Sequence, residues 1–355
     1  MAYISFQPSD FFNTVLYTGN GTAIGSGGLA VTGVGFQPDF TWIKNRDASD
    51  SHMLFDAPRG ATDILSSDSA AAESNNTESL TTWGADGFTL GNKDTVNTSA
   101  EDYVSWNWKG GTTSGITTNG STTITPTAYS FNQTAGISIL AFEGNYTNGA
   151  KLAHGLGVAP EMVFFKTLDT ASDWGGYNKT ITATDYIKLN DTAGATAYAL
   201  AFDDTEPDAV NITLGSWEAV NGNVGVTGMV AYAFASKKGF SKIGSYTGNG
   251  NADGPFVYTG FRPAYTMIKQ TSGSGTYGWY ILDSKRAGYN PDNEDLLANT
   301  TGVEDTTNNF WDLCSNGFKI RTAGGNVNTS GSIYTYAAFA EFPTVSSNDV
   351  PTVAR

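Results

Sequence analysis

The chain has 355 residues, of which 39% are apolar and only 15% charged, with Gly, Ser, Thr and Asn filling the difference; globular domains usually carry about 45–50% and about 25%. Nineteen basic residues against 34 acidic ones leave a formal charge of −15, which repels phosphate backbones and excludes nucleic acid as a partner. A single cysteine, Cys314, rules out an intrachain disulfide and suits synthesis in a reducing cytoplasm. β-Branched and aromatic residues separated by Gly, Asn and Asp predict an all-β protein of short strands and tight turns.

Residues 1–15 open the chain without the basic-then-apolar pattern of a signal peptide. No later stretch reaches the roughly 18 consecutive apolar residues of a membrane span, so membrane insertion is not expected. Tyr3, Ile4, Phe6, Phe11 and Phe12 crowd around Pro8, which disfavours a helix. This segment is either an anchor that docks on another protein or the first strand of the first domain.

Three diverged copies of one repeat follow. Pro38–Lys44, Pro160–Lys166 and Pro263–Lys269 each begin with Pro, run through five mostly apolar residues and end on Lys. Pro belongs at the start of a strand because it lacks a backbone donor. The apolar run behind it has the length of a sandwich-core strand, and the Lys is read as the point where the strand leaves the core. Upstream lie Asn/Gly turns at Tyr17–Gly21, Tyr146–Gly149 and Tyr246–Gly250; each copy closes on an aromatic-rich strand at Tyr103–Trp108, Met229–Phe234 and Tyr334–Phe339. Copies one and three also share Asp56-x-x-Arg59 and Asp283-x-x-Arg286, read as turn locks. Asp86-Gly87-Phe88 and Asn316-Gly317-Phe318 are read as hairpin turns.

The prolines are 122 and 103 residues apart, the size of an independent sandwich. The expectation is three tandem jelly-roll or concanavalin-like β-sandwich domains in series, at 16–111, 112–239 and 240–343, with a tail from 344 to 355. Gly110–Gly136 is a linker or an extra strand of copy two. Asp63–Glu78 reads as a loop or at most a short helix.

Little in the chain suits catalysis. The two histidines, His52 and His154, occupy no repeated position and read as turn or surface residues. No nucleophile elbow and no Glu-x-Asp-x-x-Glu strand is present. One Cys and two distant His do not make a zinc set, so no metal and no cofactor is expected. Asp203–Asp208 reads as a solvated loop. Trp42, Phe164 and Met267 exchange apolar types at one repeat position and read as core. Trp174, Tyr177, Trp279 and Tyr280, near Gly-rich loops, break the pattern and are the candidate ligand-binding residues.

Phe36–Arg46 with its preceding Gly, Leu54–Gly60 and Asp86–Gly91 resemble a domain of unassigned function that recurs in virion proteins of marine tailed phages. His154–Pro160 and Ile4–Asn13 look like segments of the same proteins. The resemblance implies a concanavalin-like or jelly-roll sandwich and a non-enzymatic place in the virion, as tail fibre, head fibre, knob or capsid decoration. A place in the virion implies other virion proteins as partners, which residues 2–12 would meet if that apolar segment is an anchor and not a first strand, and leaves room for a homo-oligomer such as a trimer. Host surface polysaccharide would be the ligand of an adhesive role. A free carbohydrate-binding module is the alternative, and a glycan-degrading enzyme a third reading.

Overall fold

A computed structural model describes residues 7–340 except Val226, Ser274 and Asp292. Copy one comprises β1 (Phe12–Thr18), β2 (Leu29–Thr32), β3 (Phe40–Asn45), β4 (Met53–Asp56), β5 (Gly60–Leu65), β6 (Ser74–Asn75), β7 (Leu80–Gly84), β8 (Gly87–Leu90), α1 (Asp94–Asn97) and β9 (Asp102–Trp108). Copy two holds β10 (Ala128–Asn132), β11 (Ile137–Gly144), β12 (Ala150–Ala153), β13 (Met162–Thr167), β14 (Gly175–Asn178), β15 (Asp185–Lys188) and β16 (Thr196–Ala197). It continues with α2 (Ala199–Phe202), β17 (Asn211–Leu214), α3 (Glu218–Asn221) and β18 (Thr227–Phe234). Copy three runs through β19 (Ser241–Thr247), β20 (Phe256–Tyr258), β21 (Pro263–Gln270), β22 (Tyr280–Asp283), β23 (Leu296–Leu297), β24 (Trp311–Cys314), β25 (Gly317–Ile320), α4 (Gly325–Asn328) and β26 (Ile333–Ala340).

The protein is an all-β sandwich assembly, and its three copies share one strand plan. The large sheets run β1-β9-β3-β4-β5-β6, β10-β11-β18-β13-β14-β15-β16 and β19-β26-β21-β22-β23. The small sheets are β2-β8-β7, β12-β17 and β20-β25-β24. In each copy the first long strand pairs with the last, as the outer strands of a jelly roll do; the inner strands instead form a meander from the Pro strand onward. Phe40, Met162 and Tyr265 face Trp108, Phe234 and Phe339 across the ladder. Pro38, Pro160 and Pro263 each precede these residues by two positions, so the prolines are equivalent. This places copy two on the same plan as its neighbours.

Alternate residues of the Pro strands serve two cores. Ile43, Val163 with Phe165, and Ile268 point into the separate cores between the large and small sheets of their own copies. Phe40 and Trp42, Met162 and Phe164, Tyr265 and Met267 meet in one central cluster. Rings cross every boundary there: Phe40 lies 4.5 Å from Tyr232, Phe164 5.4 Å from Trp279 and Trp106 5.5 Å from Tyr265. A small apolar void of about 30 Å³ remains where the three copies meet. The copies are therefore not beads in series. Large sheets with both faces covered bury every residue of β3, β13 and β21, which is why these strands read as continuous apolar runs rather than alternating ones.

Several expectations change accordingly. Gly110–Gly136 is no free linker, because β10 adds an edge strand to copy two by pairing with β11. Part of Asp63–Glu78 is strand, in β5 and β6. Copy one begins before residue 16: Phe12 opens β1 and packs against Trp108, Tyr265 and Phe339 in the central core. Phe11 is half-buried, 6.4 Å from Phe240. Tyr3, Ile4 and Phe6 lie outside the described residues, as does the tail from 344.

Candidate functional site: joints between copies and a pocket in copy three

The repeat's polar residues first have to be separated into those that join copies and those that do not. Trp174 Nε1 of copy two donates to Ser66 O of copy one at 2.9 Å, and Trp279 Nε1 of copy three donates to Lys188 O of copy two at 2.8 Å. Ladder register puts His52 at the same repeat position, two residues before Leu54, Gly176 and Ile281 in turn. His52 Nε2 lies 3.0 Å from Leu297 O of copy three, which closes the ring. Backbone bonds repeat the cycle: Glu73 N to Leu168 O, Ala195 N to Thr271 O and Glu304 N to Arg46 O, at 2.9–3.0 Å. His52 is thus a buried core residue and not a surface one. Its Nδ1 accepts from Trp42 Nε1 at 2.8 Å, so the proton sits on Nε2, and burial holds its pKa well below the usual value.

The three lysines do not leave the core either. Lys44, Lys166 and Lys269 have no exposed surface. Each ammonium donates to the carbonyl of the next residue, at 2.6, 3.3 and 2.9 Å. Lys166 also reaches Ala70 O of copy one and Lys269 reaches Thr192 O of copy two, whereas Lys44 turns to Ala48 O in its own copy. Burial pulls all three down to about 8.

The repeated Asp-x-x-Arg turns are buried ion pairs, Asp56–Arg59 at 2.5 Å and Asp283–Arg286 at 2.7 Å. Each Asp accepts one further bond from the next copy: Asp56 from Tyr232 Oη at 2.6 Å, Asp283 from Trp106 Nε1 at 3.0 Å. Copy two has Asn178 in this place, and the donor position opposite belongs to Ala337, which has nothing to give. A carboxylate there would be buried without a donor, so the neutral amide is the lesser cost. Its Nδ2 remains without a partner.

A third repeated device pins the Asn/Gly turns. Asn97, Asn221 and Asn328 end the one-turn helices α1, α3 and α4, and each side-chain oxygen accepts from a turn backbone N–H: Asn20, Asn145 and Asn249. The equivalent turn in copy two is therefore centred on Asn145. The position of Tyr17 and Tyr246 is taken by Phe142 and not by Tyr146.

The candidate ligand residues fare differently from one another. Trp174 and Trp279 are fully buried joints and present no ring to solvent. Tyr177 is buried against Phe202 and donates its hydroxyl to Glu206, so the acidic stretch around Glu206 is partly turned inward rather than solvated. His154 is likewise buried, within 3.1 Å of Asp208 O. Of the four, Tyr280 lines a polar pocket of about 250 Å³, in company with Phe310, Asp295, Asp305, Asn308 and Asn326. Asp295 is only 4% exposed, and its Oδ1 has no hydrogen-bond partner. Burial and the nearby Asp305 raise its pKa to about 7. A wider cleft of about 560 Å³ separates copies two and three beside Tyr258. Several of its polar groups are already paired: Glu161 with Lys179 and Ser236, and Lys242 with Tyr258 O. Sequence reading missed Asp295 because a single Asp in a Gly/Asn-rich stretch carries no signal until the ladder shows what stands there in the other copies.

These features define a class: a closed assembly of three sandwiches joined by the histidine-position residues, by Lys166 and Lys269 and by the carboxylates of both Asp–Arg pairs. A family model matches residues 7–343, spanning all three copies as one unit, and the chain belongs to that family, the domain of unknown function DUF7483. No curated protein and no solved structure matches it.

Proposed function

We propose that this protein is a non-enzymatic structural component of a tailed-phage virion, a fibre, knob or capsid decoration, whose outer faces adhere to host-surface glycans. The observation that carries this reading is the closed ring of inter-copy bonds. It gives one chain the closed, mutually braced geometry that a cyclic trimer gives three. The histidine-position residues, both Asp–Arg pairs and two of the three lysines, Lys166 and Lys269, are engaged in that bracing. Such a body suits a projecting particle protein, and its weakly charged surface suits salt water, where ion pairs are screened. Tyr3, Ile4 and Phe6 remain the proposed attachment residues to other virion proteins, while Phe12 has a sufficient role in the core.

The test is to purify particles on a density gradient and look for this chain by mass spectrometry. Peptides at a constant ratio to the major capsid protein support the reading; their confinement to the soluble lysate fraction sinks it. Incubation of the pure protein with host polysaccharide should release no oligosaccharide. Turnover abolished by changing one carboxylate would make the protein an enzyme.

A further inference from the structure

Copy three breaks the repeat at one buried position. Leu65, Ile187 and Leu296 face Leu54, Gly176 and Ile281 in the three ladders, so the residue before each is equivalent: Ile64, Tyr186 and Asp295. Ile64 belongs to the core of copy one and Tyr186 packs against that of copy two. A buried Ile and a half-buried Tyr ring fill this site in the other two copies, and copy three replaces them with a carboxylate whose Oδ1 is buried and unpartnered. The other buried repeat carboxylates, Asp56 and Asp283, each have an arginine and a donor from the next copy. Asp295 has no such provision, and a fold that needed only stability would keep the apolar residue.

The pocket around it is rich in acceptors. Asn326 spends its Nδ2 on Tyr280 Oη at 2.6 Å and Asn308 its Nδ2 on Asp305 at 2.9 Å, which leaves both amide oxygens for a ligand. One wall is aromatic, with the Tyr280 and Phe310 rings 5.0 Å apart and nearly perpendicular. A ligand that fits must bring several hydrogen-bond donors on one edge and an apolar face on another. A sugar ring has both, in its hydroxyl rim and its C–H face. The net charge of −15 disfavours an acidic sugar. The second carboxylate of the pocket, Asp305, already accepts from Thr307 and Asn308, and no cluster of three or more His, Cys, Asp or Glu suited to a metal occurs among the described residues.

We infer that the Asp295 pocket of copy three binds a neutral hexose unit of a glycan, with Asp295 accepting from its hydroxyls and the Tyr280–Phe310 wall receiving its C–H face. This rests on the adhesive half of the function proposed above and gives it a location; it does not depend on where in a particle the chain sits.

The experiment is saturation-transfer NMR on the full chain with glucose, galactose, mannose and N-acetylglucosamine at millimolar concentration, repeated on Asp295→Asn and Asp295→Ile. At about pH 8.5, where Asp295 is ionised, the wild type should receive transfer to at least one sugar, and both variants should lose affinity by at least about tenfold, the value of a hydrogen bond to a charged acceptor. Asp295→Ile, which installs the copy-one residue, should melt at a higher temperature than the wild type, so its loss of binding cannot be loss of fold. Sugar binding undiminished in both variants overturns the site and leaves adhesion standing. No binding by the wild type to any of the four sugars overturns both. Binding of Ca²⁺ at this pocket without any sugar overturns the ligand class.

Discussion

Replacing Tyr232 by Phe removes one oxygen from the interior and should destabilise the whole molecule rather than copy two alone. Tyr232 belongs to copy two, is 2% exposed, and donates at 2.6 Å to the buried carboxylate of Asp56 in copy one. The ring and its stacking on Trp174 persist, so no cavity term arises and the cost is that of a hydrogen bond to a charged acceptor, about 1.5–3 kcal/mol. Arg59 still neutralises Asp56, which keeps the loss below that of a fully orphaned buried charge. In an Asp56→Asn background the same change removes only a neutral bond, worth about 0.5–1.5 kcal/mol. The two substitutions should therefore couple by roughly 1–2 kcal/mol, within the range for residues in direct contact. Urea unfolding followed by tryptophan fluorescence measures it, from the midpoint shift at constant slope. A loss under about 0.5 kcal/mol would refute the joint. So would two separate transitions of which only one moves, since that is the behaviour of independent beads.

Copy three expressed alone, residues 240–343, should be collapsed but poorly packed, because Tyr265, Met267 and Phe339 lose the central core; native near-UV circular dichroism without dye binding would contradict this. The buried lysines set the alkaline behaviour. Their folded pKa of about 8 lies below the unfolded value, so the unfolded chain binds more protons above pH 8 and stability should rise from about pH 8 towards 10. Buried Tyr232 and Tyr246, raised by desolvation, reverse the slope once the unfolded tyrosines ionise near pH 10. Melting across pH 7–11 should therefore peak between these limits, and a monotonic fall would count against buried lysines. On the acid side His52, held well below its usual pKa by burial, binds a proton more readily when unfolded and lowers stability below about pH 6.5, while Asp295, raised to about 7, works the other way between about pH 7 and 4. The stability of His52→Gln relative to the wild type should therefore rise as the pH falls from about 8 to about 5 in the same melting series. Deleting residues 2–12 should lower stability by about 3–5 kcal/mol through loss of Phe12, whereas deleting 2–6 leaves the contacts of Phe11 and Phe12 in place; equal unfolding midpoints for the two truncations would remove Phe12 from the core.

The sequence determined the repeat, and with it most of each copy. Proline spacing, hairpin turns and aromatic closing strands are local signals, because turn chemistry and strand patterning act over a few residues. The Asp-x-x-Arg turns and the core character of Trp42, Phe164 and Met267 were legible for the same reason. What tertiary structure decided is how the copies meet. His52 differs in residue type from Trp174 and Trp279, and their common role exists only where each ring N–H reaches a carbonyl on another copy. Lysine at the end of an apolar run looks like an exit to solvent until neighbouring loops supply carbonyls for its ammonium. Asp295 is one acid among many until the ladder sets it beside Ile64 and Tyr186. A one-dimensional pattern states which residues avoid water, but whether a polar group finds a partner depends in most of these cases on chain segments far away along the sequence. That pairing, not polarity, separates the joints of this protein from its pocket.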